Sequence, residues 1–240
     1  MLRPALLFLL SLSLQAGFAE EVTGEQLMEA VRARLPQEAI RLRGFIRTRN
    51  GRRDVDRGLI SELRFGDAEP HIRYEVMDAF GQILARARIA WPGGRVDFRL
   101  DQENGGPIPD ADIRDEIAET GLTWSDLSLD FLWWPGAEIS GRERIRTRSA
   151  YVVDLPAPPH SSDRRGGVRL WIDAAAMLVV RAERLGPDGQ RLKRIDVDSI
   201  LEIEPDVWMV KDLLIRDFAN NRRMGVRFEE AQTLTAPESN

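Results

Sequence analysis

From about Ile40 onward, apolar and polar residues alternate along a succession of short segments. Ile40, Leu42 and Ile46 alternate with Arg41, Arg43 and Arg47, and Ile72, Tyr74 and Val76 alternate with Arg73 and Glu75. Ile83, Ala85, Ala87, Ile89 and Trp91 share the next face. Val96, Phe98 and Leu100 follow, and Val168, Leu170 and Ile172 continue the pattern later. Successive side chains of a strand point to opposite faces, so this pattern predicts a large antiparallel sheet, apolar on one face and wet on the other.

A single helix precedes the sheet. Thr23 with Gln26 three residues on makes a capping box, Leu27, Val31 and Leu35 make an apolar stripe, and Pro36 stops it. Strands are predicted at about 40–49, 54–65, 71–78, 83–91 and 95–101, the first two joined by the hairpin signal Asn50-Gly51. A Gly/Pro/Asp loop runs from Gln102 to Asp112, and a mostly helical stretch, interrupted at Gly121, covers 113–134. Further strands are predicted at about 142–155, 167–173, 178–186, 190–201, 206–218 and 223–231, with a turn at Pro187-Asp188-Gly189.

About eleven strands at ~4.8 Å spacing would make a flat sheet roughly 50 Å wide, and a helix is only ~10 Å thick. A few short helices cannot cover such a face. The fold expected is therefore α+β and mainly antiparallel β: a strongly curved, incomplete barrel whose concave, apolar face is partly covered by helices, with room for a ligand.

Composition sharpens this picture. The 240 residues are 43% hydrophobic and 30% charged, which fits a folded globular chain. A formal charge of −5 gives no reason to expect nucleic acid as a partner. Arg3, the apolar run Ala5 to Leu14 and the small residues Gly17 and Ala19 have the layout of a secretory signal peptide. The expected organisation is a leader at 1–19, one domain at 20–235 and a frayed tail at 236–240. No membrane span is expected in the mature chain, and the address is secreted or periplasmic. The chain has no cysteine, so neither a disulfide nor a lipobox anchor is available.

Candidate chemistry is sparse. His71 and His160 are the only histidines and lack metal-ligand spacing, and no nucleophile elbow or phosphate loop occurs. Asp110, Asp112, Asp115 and Glu116 read as helix-start capping in preference to a calcium loop. Asp126 and Asp130, one helical turn apart, read as the wet stripe of their helix. Arg142, Arg144, Arg146 and Arg148 form a basic stripe along one strand. It is either an electrostatic dock or, preferably, charge that blunts an outer strand against edge pairing. No cofactor, metal or catalytic residue is expected.

The most distinctive run is Thr123-Trp124-Ser125-Asp126-Leu127-Ser128-Leu129-Asp130-Phe131-Leu132-Trp133-Trp134-Pro135-Gly136. Thr123 and Asp126 cap its start and Pro135-Gly136 ends it. At 100° per residue Trp124, Leu127, Phe131 and Trp134 form one face and Leu129, Leu132 and Trp133 the other, so the helix is buried on two sides. It reads equally as a plug in the mouth of the curled sheet and as an ordinary core helix.

This run, preceded by the leader, capped helix and strand meander, is followed by Gly141-Arg142-Glu143, by Val168-Arg169-Leu170-Trp171-Ile172-Asp173 and by Leu192-Lys193. Together they resemble the LolA-like outer-membrane lipoprotein-sorting proteins, over nearly the whole mature chain. The resemblance implies an incomplete barrel, lidded by helices, that shields acyl chains in the periplasm. Its implied partners are lipoprotein acyl chains or another lipid, an inner-membrane ABC transporter and an outer-membrane acceptor. It also implies an arginine that fastens the lid, for which Arg41, Arg43 and Arg47 are the candidates. The ligand-contacting residues expected are Trp91, Phe98, Leu127, Leu129, Phe131, Leu132, Trp133 and Trp134. Two other readings remain beside the carrier: an envelope-stress sensor of the RseB type and, last, an enzyme acting on an apolar substrate.

Overall fold

The computed structural model describes residues 22–50, 53–103, 105–158, 166–204 and 207–234. The expected leader, Gly51 of the first hairpin, His160 and the 236–240 tail lie outside the described residues. Helix α1 (Gly24–Arg32) is set by the predicted capping box, in which Thr23 and Gln26 exchange side-chain-to-backbone hydrogen bonds. It buries Leu27, Met28 and Val31 and ends before Leu35.

A meander follows: β1 (Ala39–Asn50), β2 (Arg53–Arg64), β3 (His71–Met77), β4 (Ile83–Ala90) and β5 (Asp97–Asp101). The chain then crosses over through α2 (Trp124–Ser128) and a 3-10 helix at Asp130–Trp133. A second meander comprises β6 (Glu138–Ile145), β7 (Arg148–Leu155), β8 (Gly167–Asp173), β9 (Val179–Leu185), β10 (Arg191–Glu204), β11 (Val207–Asp217) and β12 (Arg222–Leu234). Among the described residues these twelve strands form one sheet, ordered β5-β4-β3-β2-β1-β12-β11-β10-β9-β8-β7-β6. The sheet is curved and unclosed, as expected, with β5 and β6 as its two free edges. Its two wings meet where β1 pairs with β12. There, Gly44 lies at a register shift, and a Cβ on it would stand 1.9 Å from the Arg227 carbonyl oxygen. Only glycine allows the two backbones to approach so closely.

The inner face carries the predicted alternation: Ile40, Leu42 and Ile46; Leu59 and Leu63; Ile72, Tyr74 and Val76; Leu170 and Ile172; Leu213 and Ile215; Val226 and Phe228. These residues, those of α1 and the apolar residues of the crossover belong to one core.

Three expectations are corrected. The segment 142–155 is a hairpin, β6 and β7, turning at Arg146 and Thr147. Arg146 adopts φ 55, which the absence of glycine or proline had concealed. The arginine stripe is thereby split: Arg142 and Arg144 lie on edge strand β6, Arg146 in the turn and Arg148 on β7. The stretch 113–134 is helical only at α2 and the short 3-10 turn. Its remaining residues form turns, in which Asp112 and Asp115 accept backbone hydrogen bonds without starting a helix.

Candidate functional site

The crossover from Gln102 to Ala137 carries the chain from one free edge of the sheet to the other, across the concave face. Its local fold is written in Thr123, whose hydroxyl accepts from Asp126 N at 3.2 Å while Asp126 Oδ2 accepts from Thr123 N at 3.1 Å. The helix stops after one turn because Leu129 is left-handed, φ 51 and ψ 45. That conformation costs a non-glycine residue roughly 1–2 kcal/mol and is held here by the packing around it. The break cancels the 100° phasing expected over 124–134, so the two predicted faces do not exist as continuous stripes.

The eight expected contact residues are brought together. Trp91, Leu127, Phe131, Leu132 and Trp134 are buried, Phe98, Leu129 and Trp133 are half-buried, and all belong to the core beneath the crossover. Trp133 stacks on Trp91, with Phe65 beside it at 5.8 Å. Trp124 meets Tyr74 at 5.9 Å and Phe98 at 6.2 Å between ring centroids.

Asp126 and Asp130 are not a wet stripe. Both are buried, and both face Arg184 of β9, an inward-pointing arginine 1% exposed at its side chain. Arg184 Nε donates to Asp126 Oδ1 at 3.1 Å, and Nη2 donates to Asp130 Oδ1 at 2.9 Å and to Ser125 O at 2.9 Å. Lys193 of β10 donates from Nζ to Asp126 Oδ2 at 2.5 Å and to Gly121 O at 3.2 Å. Asp130 also accepts from Ser125 Oγ at 2.7 Å and from Trp134 Nε1 at 3.2 Å. Two cations and two anions balance, which is the condition for burying charge. Burial pushes the Asp126 carboxyl upward, but the charges of Arg184 and Lys193 outweigh that and hold it below the ordinary carboxylate range.

Further ties hold the crossover along its length. Thr48 donates to Thr120 O at 2.6 Å, Arg57 to Ala118 O at 3.0 Å and Arg32 to Leu132 O at 2.8 Å. Glu25 accepts from Gly136 N at 2.6 Å and from Ala137 N at 3.0 Å. This docking needs glycine at position 24, because a Cβ there would stand 2.1 Å from Ala137 O.

The arginine buried between the crossover and the sheet is Arg184, and it is none of the three expected on β1. Arg41 pairs with Glu62 and Arg47 with Asp56, while Arg43 is exposed on the same outward phase of β1. A signal for Arg184 existed in the sequence: it falls in phase with inward Ala182, and Lys193 falls in phase with inward Ile195. A charge in step with an apolar face needs a buried partner.

A family model described only as an uncharacterized protein matches residues 106–239, more than half of the chain. No curated protein matches it. Solved structures are similar in fold. A DUF1329 family protein from Desulfovibrio piger has a TM-score of 0.77 at 10% identity, covering 90% of this chain and 93% of its own. A domain assigned to outer membrane lipoprotein sorting from Vibrio parahaemolyticus has a TM-score of 0.75 at 12% identity, covering 90% and 94%. A LolA superfamily protein from Nitrosomonas europaea has a TM-score of 0.70 at 15% identity, covering 90% and 96%.

Proposed function

This chain belongs to the family of uncharacterized proteins whose model spans residues 106–239 and has the LolA-superfamily fold, and from that premise we propose that it is a periplasmic carrier of acyl lipids. The crossover acts as its lid. Acyl chains of a lipoprotein, or of a related lipid, take the place of the lid's apolar side chains against the concave face. The sorting roles in the names of similar structures and the leader-like N-terminus support this reading. Transfer from an inner-membrane ABC transporter to an outer-membrane acceptor is the route the resemblance suggests. Among the described residues no helix is long and apolar enough to cross a membrane.

The observation that carries the reading is the way the crossover is attached. From Ile113 onward its aromatic and aliphatic side chains are buried against the sheet, and its ties to the strands are made by side chains, those of Arg184, Lys193, Thr48, Arg57 and Tyr74. A segment attached in this way can be displaced while the sheet's hydrogen bonds stay intact.

Magnitudes favour reversible loading. Burying an acyl chain of roughly a dozen methylenes from water yields on the order of 10 kcal/mol, which offsets the ~3–5 kcal/mol of a broken buried ion pair together with part of the lid's own lost apolar burial. A chain taken from a bilayer is already out of water and gains little by burial, so the cost of moving the lid decides the balance and favours delivery.

Mass spectrometry of protein purified without detergent tests the proposal. Co-purifying lipid is expected, together with saturable binding of a fluorescent acyl probe. An empty protein that binds no such probe would overturn it.

A further inference from the structure

Buried polar groups in this chain are generally paired: Thr48, Thr120, Ser125, Asp126, Asp130 and Arg184 all have hydrogen-bond partners. Four atoms beneath the crossover do not. Ser61 Oγ on β2, Trp91 Nε1 after β4, and Trp124 Nε1 and Ser128 Oγ on α2 have no partner among the described residues. Each belongs to a residue more than nine-tenths buried. His71 Nε2 is a fifth such atom, but on β3 it alternates away from Tyr74 and the inner face.

Ser61 and Trp124 flank Tyr74, and the backbone next to Ser128 touches it. Ser61 stands directly across from Tyr74 in the β2–β3 register, and the Trp124 ring lies 5.9 Å from the Tyr74 ring. Tyr74 Oη donates to the carbonyl of Leu127, the residue before Ser128, at 3.5 Å. Two come from the crossover and one from the sheet, so they belong to residues on both sides of the seam next to Tyr74.

An unpaired buried donor carries its full desolvation penalty, and a ligand that pairs it recovers that loss. The chemistry of the atoms selects the ligand group. An indole N–H only donates, and a hydroxyl can donate, so the complement is a hydrogen-bond acceptor. The nearby cations, Arg184 and Lys193, are engaged with Asp126 and Asp130, so the seam suits a neutral acceptor better than a phosphate or a carboxylate. We infer that the seam recognises the carbonyls of acyl esters, through Trp124 Nε1–H and the hydroxyls of Ser61 and Ser128, with the hydrocarbon beneath the lid. This rests on the carrier reading and narrows its ligand from any apolar chain to an esterified one. The glycerol esters of a phospholipid and of a lipoprotein's diacylglyceryl group share this chemistry.

Displacement of a fluorescent acyl probe tests it. The competitors are a diacyl phospholipid, its dialkyl-ether analogue of equal chain length, and a diacylglyceryl-cysteine lipopeptide. The wild-type protein should bind one or both ester ligands on the order of tenfold more tightly than the ether. Ser61→Ala/Ser128→Ala, which keeps Trp124 Nε1–H, should reduce that preference by weakening ester binding alone, with a melting temperature equal to or above wild type because the orphaned hydroxyls are gone. Whichever ester gains more identifies the source. Equal binding of ester and ether by wild type, or a preference undiminished in the double variant, overturns the inference and leaves the carrier reading intact. Binding of none of the three overturns both.

Discussion

The indole of Trp133 lies flat on that of Trp91, with ring centroids 3.9 Å apart and planes 6° from parallel. One ring belongs to the crossover and the other follows β4. On the opposite wing, the crossover is held by the charges of Arg184 and Lys193. The crossover is therefore held by stacked rings near one edge of the sheet and by buried ion pairs on the opposite wing, and the two fastenings should respond differently to substitution.

Trp133 is half-buried and Trp124 is buried. Trp133→Ala should remove a ring pair contributing about 0.5–1.5 kcal/mol beyond its buried area. Trp124→Ala, in the interior, should cost about 3–5 kcal/mol. Urea denaturation separates the two. A loss at Trp133 as large as at Trp124 would contradict its position at the margin of the core.

Arg184→Met keeps most of the side-chain volume and leaves Asp130 without its cation. Removing one member of a buried ion pair typically costs ~3–5 kcal/mol. Arg184→Met/Asp130→Asn leaves Lys193 and Asp126 as a balanced pair, so this double variant should be more stable than Arg184→Met alone. A double-mutant cycle measures the coupling. Strict additivity would mean that Arg184 and Asp130 do not interact.

Acid should loosen the crossover. Asp126 titrates below the ordinary carboxylate range because Arg184 and Lys193 outweigh its burial. A depressed folded-state pKa adds stability above the unfolded value of ~3.9, and that stability is lost as pH falls through the folded value. Tryptophan fluorescence should stay constant from neutrality to about pH 5 and change below about pH 4. Asp154, Asp173 and Asp212 are held low as well, so the readout is the difference between wild type and Asp126→Asn. The variant should be less stable at neutral pH and lose less on acidification. Parallel acid profiles would remove Asp126 from the account.

Edge strand β6 exposes Arg142, Glu143 and Arg144, and Arg142 also rests on the Tyr151 ring at 4.3 Å. Charges on an exposed edge discourage strand pairing between molecules. Arg142→Thr/Arg144→Val should leave the fold intact while raising self-association, measured by light scattering at increasing concentration. Unchanged scattering would mean that the twist of the edge alone protects it.

The sheet was legible because a period of two survives in short windows: Ile72, Tyr74 and Val76 identify their face with no knowledge of any neighbour. The β6–β7 turn was not, because Arg146 and Thr147 carry none of the usual turn chemistry. The kink at Leu129 was hidden for a related reason, since leucine seldom adopts a left-handed backbone and tertiary packing must hold it there. Asp126 and Asp130 were misjudged because their partners lie on β9 and β10, more than fifty residues later in sequence. Exposure is the ordinary state of an aspartate until a buried cation is known to face it. The tryptophans of the crossover were read as buried on two sides, which holds for Trp124 and Trp134 but not for half-buried Trp133, and the continuous helix behind that argument does not exist.

The strand order has a consequence for how the molecule comes into being. Ala39 of β1 pairs with Leu234 of β12, so the centre of the sheet joins nearly the first and last residues of the described chain. Every other neighbouring pair except this one is adjacent in sequence. Local hairpins can therefore form early in each wing, while the seam that unites them waits for the final strand to be made. A half-synthesised chain has β1 with one side unpaired, and closing so long a loop is slow. The β1–β12 seam is therefore expected to be the last part of the sheet to pair, because it alone joins strands distant in sequence.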